Sequence, residues 1–306
     1  MALSDVINVE DIQQETREII NESYDNFSYL GRLGATIEAF GTTRLDILRT
    51  SGAYSLQEGE TKKITPISLD RLTLTQGKTV AAVPISVEAL KDNGSDWVTK
   101  EVIAGLTNDI VRGMDFAVLL GTNSADGSDI SWLSTSNIAS NSTPLDAVEG
   151  QEELLTLDAA YELAPINSGI ALGERAYRRL SRSRNAFSGN LQNTQFNPET
   201  PFILDGNTAQ LVRGLDYKNY AHKKLKSNLI DSGVRSIVGD FSNIHLAIDE
   251  LDIRFAESGT FGGINLLETN TKLVLAEIFW KVAIEDIESF VTVKDAAAEE
   301  EEEAGV

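Results

Sequence analysis

The 306 residues carry a formal net charge of −21, with 42% hydrophobic and 24% charged residues and no cysteine. This balance predicts a folded chain with a sizeable core, in one large domain or two smaller ones, and argues against global disorder. The missing cysteines exclude disulfides, thiolate metal sites and cysteine nucleophiles, and the strong negative charge disfavours nucleic-acid binding, which needs the opposite sign.

Residues 1–40 read as an extended arm with one short helix. Asp11 to Tyr24 places Ile12, Ile19 and Ile20 among polar residues, a weak amphipathic pattern with little to bury, and Gly31, Gly34 and Gly41 punctuate the stretch after it. From Gly52 to Leu90 the pattern becomes strand-like. Ile64, Ile67 and Leu69 alternate with polar residues, and Leu72, Leu74, Val80 and Val83 continue the pattern beyond Arg71. A turn is expected at Gln76-Gly77. Such a hairpin is too polar to form a core alone, and two strands need a surface to lie on.

Asp92-Asn93-Gly94-Ser95-Asp96 reads as a turn and helix cap, with Ser95 or Asp96 accepting the first free amides. The helix predicted from there runs to Leu120 and stops at Gly121. Val98, Val102, Leu106, Ile110, Met114, Ala117 and Leu120 form its apolar stripe, widened by Ile103, Val111 and Val118. Lys100, Asn108, Asp109 and Arg112 fall on the other side. About 25 residues give a rod of roughly 37 Å.

Residues 122–150 read as a long polar loop, followed by helices at Gln151–Leu163 and Glu174–Ser183. The second lies within a basic patch of Arg175, Arg178, Arg179, Arg182 and Arg184. These arginines could bind phosphate groups or pair with carboxylates of a neighbouring subunit. On so acidic a chain pairing is the better fit of the two, while a solvated helix face is the commoner role of such a cluster in general. Strands are predicted at Arg235–Val238, Ile244–Ile248, Leu251–Phe255, Leu273–Phe279 and Phe290–Val293, and a solvated acidic run closes the chain from Asp295 to Glu303.

Few residues offer chemistry. Gly77-Lys78-Thr79 has Leu72 where a phosphate loop needs glycine. His222 and His245 each lack a second histidine at ligand spacing. Asp249, Glu250 and Asp252 cluster as a solvated turn would, and Gly259 to Gly263 lacks the glycine spacing of a dinucleotide site. No catalytic, cofactor-binding or metal site is therefore expected, and no cofactor. Met1-Ala2-Leu3-Ser4-Asp5 has no basic start, and no apolar run approaches the roughly 18 residues of a membrane helix. Synthesis in the cytoplasm is expected, with no membrane partner.

Three stretches resemble a known family. Ala82-Val83-Pro84-Ile85-Ser86-Val87-Glu88-Ala89-Leu90-Lys91-Asp92, followed by the helix with Asp109 and Asp115 and its end at Leu119-Leu120-Gly121, is similar to the core of Hong Kong 97-like major capsid proteins of tailed bacteriophages. Gly239-Asp240-Phe241-Ser242-Asn243 resembles that family's step before a strand. Leu273 to Val293, with Glu277, Val282, Ala283 and Phe290-Val291, resembles its last strands.

The resemblance implies an α+β fold with an N-terminal arm at 1–49 and an extended hairpin loop at 50–84. A peripheral domain with a long spine helix would occupy 85–130 and 264–294, an axial domain 131–263, and an acidic tail 295–306. It implies a structural protein, not an enzyme, whose self-assembled hexamers and pentamers form an icosahedral shell around double-stranded DNA, without sequence-specific binding. Such a shell is built in the host cytoplasm and works with scaffolding, portal and decoration proteins. Some relatives crosslink a hairpin lysine, and Lys62, Lys63 and Lys78 lie in that region, but no crosslinking trio aligns. An encapsulin-like nanocompartment shares the fold. A soluble acid–base hydrolase using Asp249, Glu250 or Asp252 is the alternative from another class.

Overall fold

The computed structural model describes residues 28–39, 41–50, 53–55, 57–58, 61, 64, 67–148, 151–163, 169–180, 202–204, 207–217 and 230–296. The helix expected at Asp11–Tyr24, Lys62, Lys63, Arg182, Arg184, His222 and residues 297–306 lie outside them.

The described chain opens with a short helix, α1 (Tyr29–Leu33), capped by Ser28 and ended by Gly34 in a left-handed conformation, φ 103°. Tyr29, Leu30 and Leu33 are buried, so this part of the expected arm belongs to the core. Strand β1 (Thr36–Glu38) then pairs in parallel with β10 (Ile244–Ala256).

The hairpin differs from its expected form. Strand β2 (Arg44–Thr50) pairs with β3 (Ile67–Thr73), from Arg44 opposite Thr73 to Thr50 opposite Ile67. Gln76-Gly77 is no turn. It lies inside β4 (Thr75–Ser86), which pairs along its length with β13 (Thr271–Ile284). The reason is packing: Gly77 sits opposite Trp280, and the Trp132 ring fills the space a Cβ would need. Glycine there admits a close approach rather than a reversal.

The spine helix also starts earlier than expected. Ser86 Oγ accepts the Ala89 amide at 3.1 Å, and α2 (Val87–Trp97) runs through the polar Asp92–Asp96 cluster. Asn93 turns its side-chain amide back onto the Ala89 carbonyl at 2.9 Å, so the cluster is accommodated within the helix. A π-helical turn follows at Val98–Ile103, containing the β-branched residues Val98, Thr99, Val102 and Ile103, then α3 (Ala104–Leu120). Gly121 ends it at φ 72°. Segments of 11, 6 and 17 residues give a rod of roughly 50 Å. Leu106, Ile110, Met114 and Ala117 are buried in one core with Ala276, Ile278, Trp280 and Val282 of β13, while Asp109 stays exposed.

Residues 122–148 are more ordered than a loop. Thr122 bridges Asp129, α4 (Ile138–Asn141) is capped by Asn137, and β5 (Thr143–Ala147) pairs in parallel with β14 (Phe290–Asp295). Helix α5 (Glu152–Asp158) continues as a π-helical turn, Ala159–Leu163. After it come β6 (Gly169–Leu172), α6 (Glu174–Leu180), β7 (Phe202–Leu204), β8 (Asn207–Leu211) and β9 (Val234–Gly239). A small hairpin, β11 (Thr260–Phe261) with β12 (Ile264–Asn265), precedes β13. The two strands expected at 244–248 and 251–255 are one strand, β10, with a register shift between Ile248 and Leu251.

The two main sheets have the orders β1-β10-β13-β4 and β5-β14-β9-β6-β8-β7. Strand β10, within 131–263, is hydrogen-bonded to β13, and β14, within 264–294, lies in the six-stranded sheet. A second core, with Ile170, Leu172, Tyr177, Leu180, Val238 and Val291, packs α6 onto that sheet.

Candidate assembly surfaces

Among the described residues, the β2–β3 hairpin packs at its base. Leu45 and Leu72 pack there with Leu74 on Ala247 and Ala283, on the face of the four-stranded sheet turned away from the spine helix. Beyond the base, Leu48 and Leu69 face each other across the strands, 62% and 61% exposed. The Asp46–Arg71 ion pair at 2.9 Å lies beside them. Being exposed, it adds little stability. A two-stranded ribbon with an open apolar pair is marginal alone and gains from a partner surface.

The same sheet face exposes Val80 and Phe279. Lys78 reaches Glu277 at 3.2 Å and lies 5.7 Å from the Phe279 ring centroid. Arg254 Nε donates to Asp252 at 2.7 Å. Apolar groups framed by satisfied charge pairs suit a protein contact more than a small molecule.

The residues singled out for chemistry are dispersed. Gly77-Lys78-Thr79 is mid-strand. His245 Nδ1 lies 2.8 Å from Glu38, tying β1 to β10, with Glu285 3.7 Å from Nε2. Asp249 and Glu250 fall within the β10 register shift, while Asp252 is held by Arg254. Gly259, Gly262 and Gly263 all have positive φ, in and around the small hairpin. Arg175 bonds Asp231 at 3.1 Å, and Arg178 approaches Glu174 at 3.6 Å, one turn earlier. These two arginines therefore find carboxylates within the chain.

Sequence reasoning missed two buried ionic groups. Asp115, in α3, has no exposure and bonds Ser28 and Tyr29 of the arm. Arg235 is equally buried and holds Asp231 at 3.0 Å and Asp295, with Asp216 3.9 Å away. Asp216 also accepts the Arg175 amide at 3.0 Å. Burial lifts the Asp216 pKa to about 6 despite the Arg175 amide and Arg235. Asp231 is pulled down instead, because its bonds from Arg235 and Gly233 outweigh its burial. A lone Asp in an apolar stripe was the available signal for the first. The second joins Asp231, four residues away, to the distant Asp216 and Asp295, and no local pattern could reveal those two.

A cleft of about 480 Å³ lies beyond the spine helix, lined among others by Thr122, Asp129, Ser131, Asn137, Ser140 and Lys294. Its lining contains no histidine. Among the described residues no group of acidic or histidine side chains is arranged to hold a metal ion, and no helix is long and apolar enough to cross a membrane.

Solved structures decide the fold. One of Gordonia phage Cozz matches 89% of this chain and 87% of its own, at TM-score 0.63 and 20% identity. This is a phage-capsid fold. A structure of Mycobacterium phage Ogopogo matches the capsid-fold chain at TM-score 0.65 and 18% identity, over 89% and 92% of the two chains. The capsid of an empty GTA particle matches at 0.54 and 14%, over 89% and 90%. No family model and no curated protein sequence matches the chain. The agreement extends over 89% of this chain in each case.

Proposed function

We propose that this chain is a shell subunit: a major capsid protein of the Hong Kong 97-like type, structural rather than catalytic. Its hexamers and pentamers would build an icosahedral virion shell around double-stranded DNA, assembled in the host cytoplasm. The observation that carries this reading is the near full-length likeness to phage and GTA capsid structures on both sides of the comparison. In this reading the spine helix and four-stranded sheet form the peripheral part, and the six-stranded sheet the axial part. The β2–β3 hairpin is the extended loop, and its Leu48–Leu69 pair meets a second copy. The charge of −21 fits a wall that lies near packed DNA without adhering to it. Scaffolding, portal and decoration proteins are the further partners this reading brings.

Electron microscopy of the purified protein, alone and with its neighbouring gene products, tests the proposal. Closed particles containing nuclease-protected DNA are expected. Particles filled with protein cargo would favour a nanocompartment, and a monomer under every assembly condition would remove the shell reading. The double substitution L48D and L69D should leave secondary structure and stability within about 0.5 kcal/mol of the parent, as surface changes do, while abolishing particles. Particles formed undiminished would take the hairpin out of the interface.

A further inference from the structure

We infer that the Asp115 carboxyl is a latch whose proton occupancy sets how firmly Ser28–Leu33 is held to the spine helix. Asp115 sits in α3 with no solvent exposure, between the buried residues Met114 and Phe116. Ser28 Oγ donates to its Oδ1 at 2.9 Å, and the Tyr29 amide to its Oδ2 at 2.6 Å. Ser28 Oγ accepts in turn from Gly31 at 3.0 Å. The first amides of α1 are thus satisfied by a side chain 86 residues away as well as by their own cap. This is a tertiary contact dependent on one ionisable group.

Little charge surrounds it. Arg112, on the same helix, is the charged neighbour that acts on it. On α1 the titratable side chains are Tyr29 and Arg32. Among the described residues, β6, β8 and the Phe241–Asn243 turn also pack against α1, and none of them has an ionisable side chain. On the sheet behind α3, Lys78 pairs with Glu277 and Lys272 with Glu257. Burial therefore dominates and raises the Asp115 pKa to about 7, against the opposing bonds from Tyr29, Ser28 and Leu30 and the charge of Arg112.

With α1 docked, the carboxyl favours its proton up to about pH 7. With α1 lifted and water admitted, it returns toward the ordinary carboxylate value. Docking is firmest below about pH 4, weakens as pH rises through the interval, and levels off above 7. The bonding suits both states. A protonated Asp115 donates to Ser28 Oγ and still accepts from Tyr29. Tyr29, Leu30 and Leu33 remain buried anchors, so the response is local opening rather than loss of the segment. The latch would operate whether or not the chain builds a shell.

Hydrogen exchange of the Tyr29, Leu30 and Gly31 amides in the full chain, corrected for intrinsic rates, tests it between pH 5 and 8. Protection should fall close to tenfold per pH unit from 5 to 7 and then flatten. D115N, neutral and similar in shape, should abolish the slope. S28A should lower protection about fivefold at every pH, one hydrogen bond's worth, and keep the slope. A flat parental profile, or a slope surviving in D115N, overturns the inference. Should D115N not fold, carboxyl carbon NMR of the parent decides, and a midpoint below pH 5 for Asp115 overturns it.

Discussion

Replacing Gly77 by alanine tests the packing that turned an expected turn into the middle of a strand. A methyl at Gly77 would overlap the Trp132 ring, whose edge meets Trp280 with centroids 5.3 Å apart and planes at 67°. Trp132 is only half-buried, so it would swing outward instead of forcing β4 from β13. The edge contact is worth about 1 kcal/mol, and overpacking costs about 1–3 kcal/mol. Alanine returns about 0.5–1 kcal/mol through strand propensity. A net loss of about 2 kcal/mol is expected in urea unfolding of the unassembled chain, with a weakened near-ultraviolet dichroism signal from the tryptophan pair. The decisive arm is a double-mutant cycle. In a W132A background, G77A should stabilise by about 0.5–1 kcal/mol, leaving a coupling energy of about 3 kcal/mol. Stability within 0.5 kcal/mol of the parent for G77A alone, with unchanged dichroism, would refute the reasoning.

Two further changes probe separate parts of the fold. R235M leaves the buried Asp216 without its arginine and should destabilise by about 3 kcal/mol above pH 7. Since Arg235 lowers the Asp216 pKa, its removal lets that carboxyl keep its proton to higher pH, so the deficit should shrink toward pH 5. Thermal unfolding at both pH values would show it, and an equal loss at each would count against the assignment. S86A removes the acceptor of the Ala89 amide and should cost about 1 kcal/mol of stability, with slightly reduced helicity by circular dichroism.

The apolar stripe from Val102 to Leu120 and the apolar run in Leu273–Phe279 are local signals, and both elements appear where the pattern places them. The helix start was misjudged because Asp, Asn and Ser signal caps and also sit within helices when their side chains fold back, as Asn93 does. The hairpin was misregistered because β2, with Leu45 and Ile47 between Arg44, Asp46 and Arg49, carries the same alternation as β3 and β4. Alternation marks strands but not their partners. Gly77 reads equally as a turn or as room for a ring, and only Trp132, far along the chain, distinguishes them. The buried Asp115 and Arg235 depend on contacts 86 and 60 residues away, beyond any local window.

The pairing of β4 with β13 joins residues such as Lys78 and Glu277, 199 positions apart. Strand β1 likewise waits for β10, and β5 for β14. A nascent chain can wind its spine helix early, but neither main sheet can close until residues 271–295 have been made. Such distant pairings fold slowly. The surface under the hairpin base, Ala247 and Ala283, comes into being at that same late moment. A chain truncated before β13 would leave both main sheets open. The topology thus acts as a length check on the fold of incomplete products of translation.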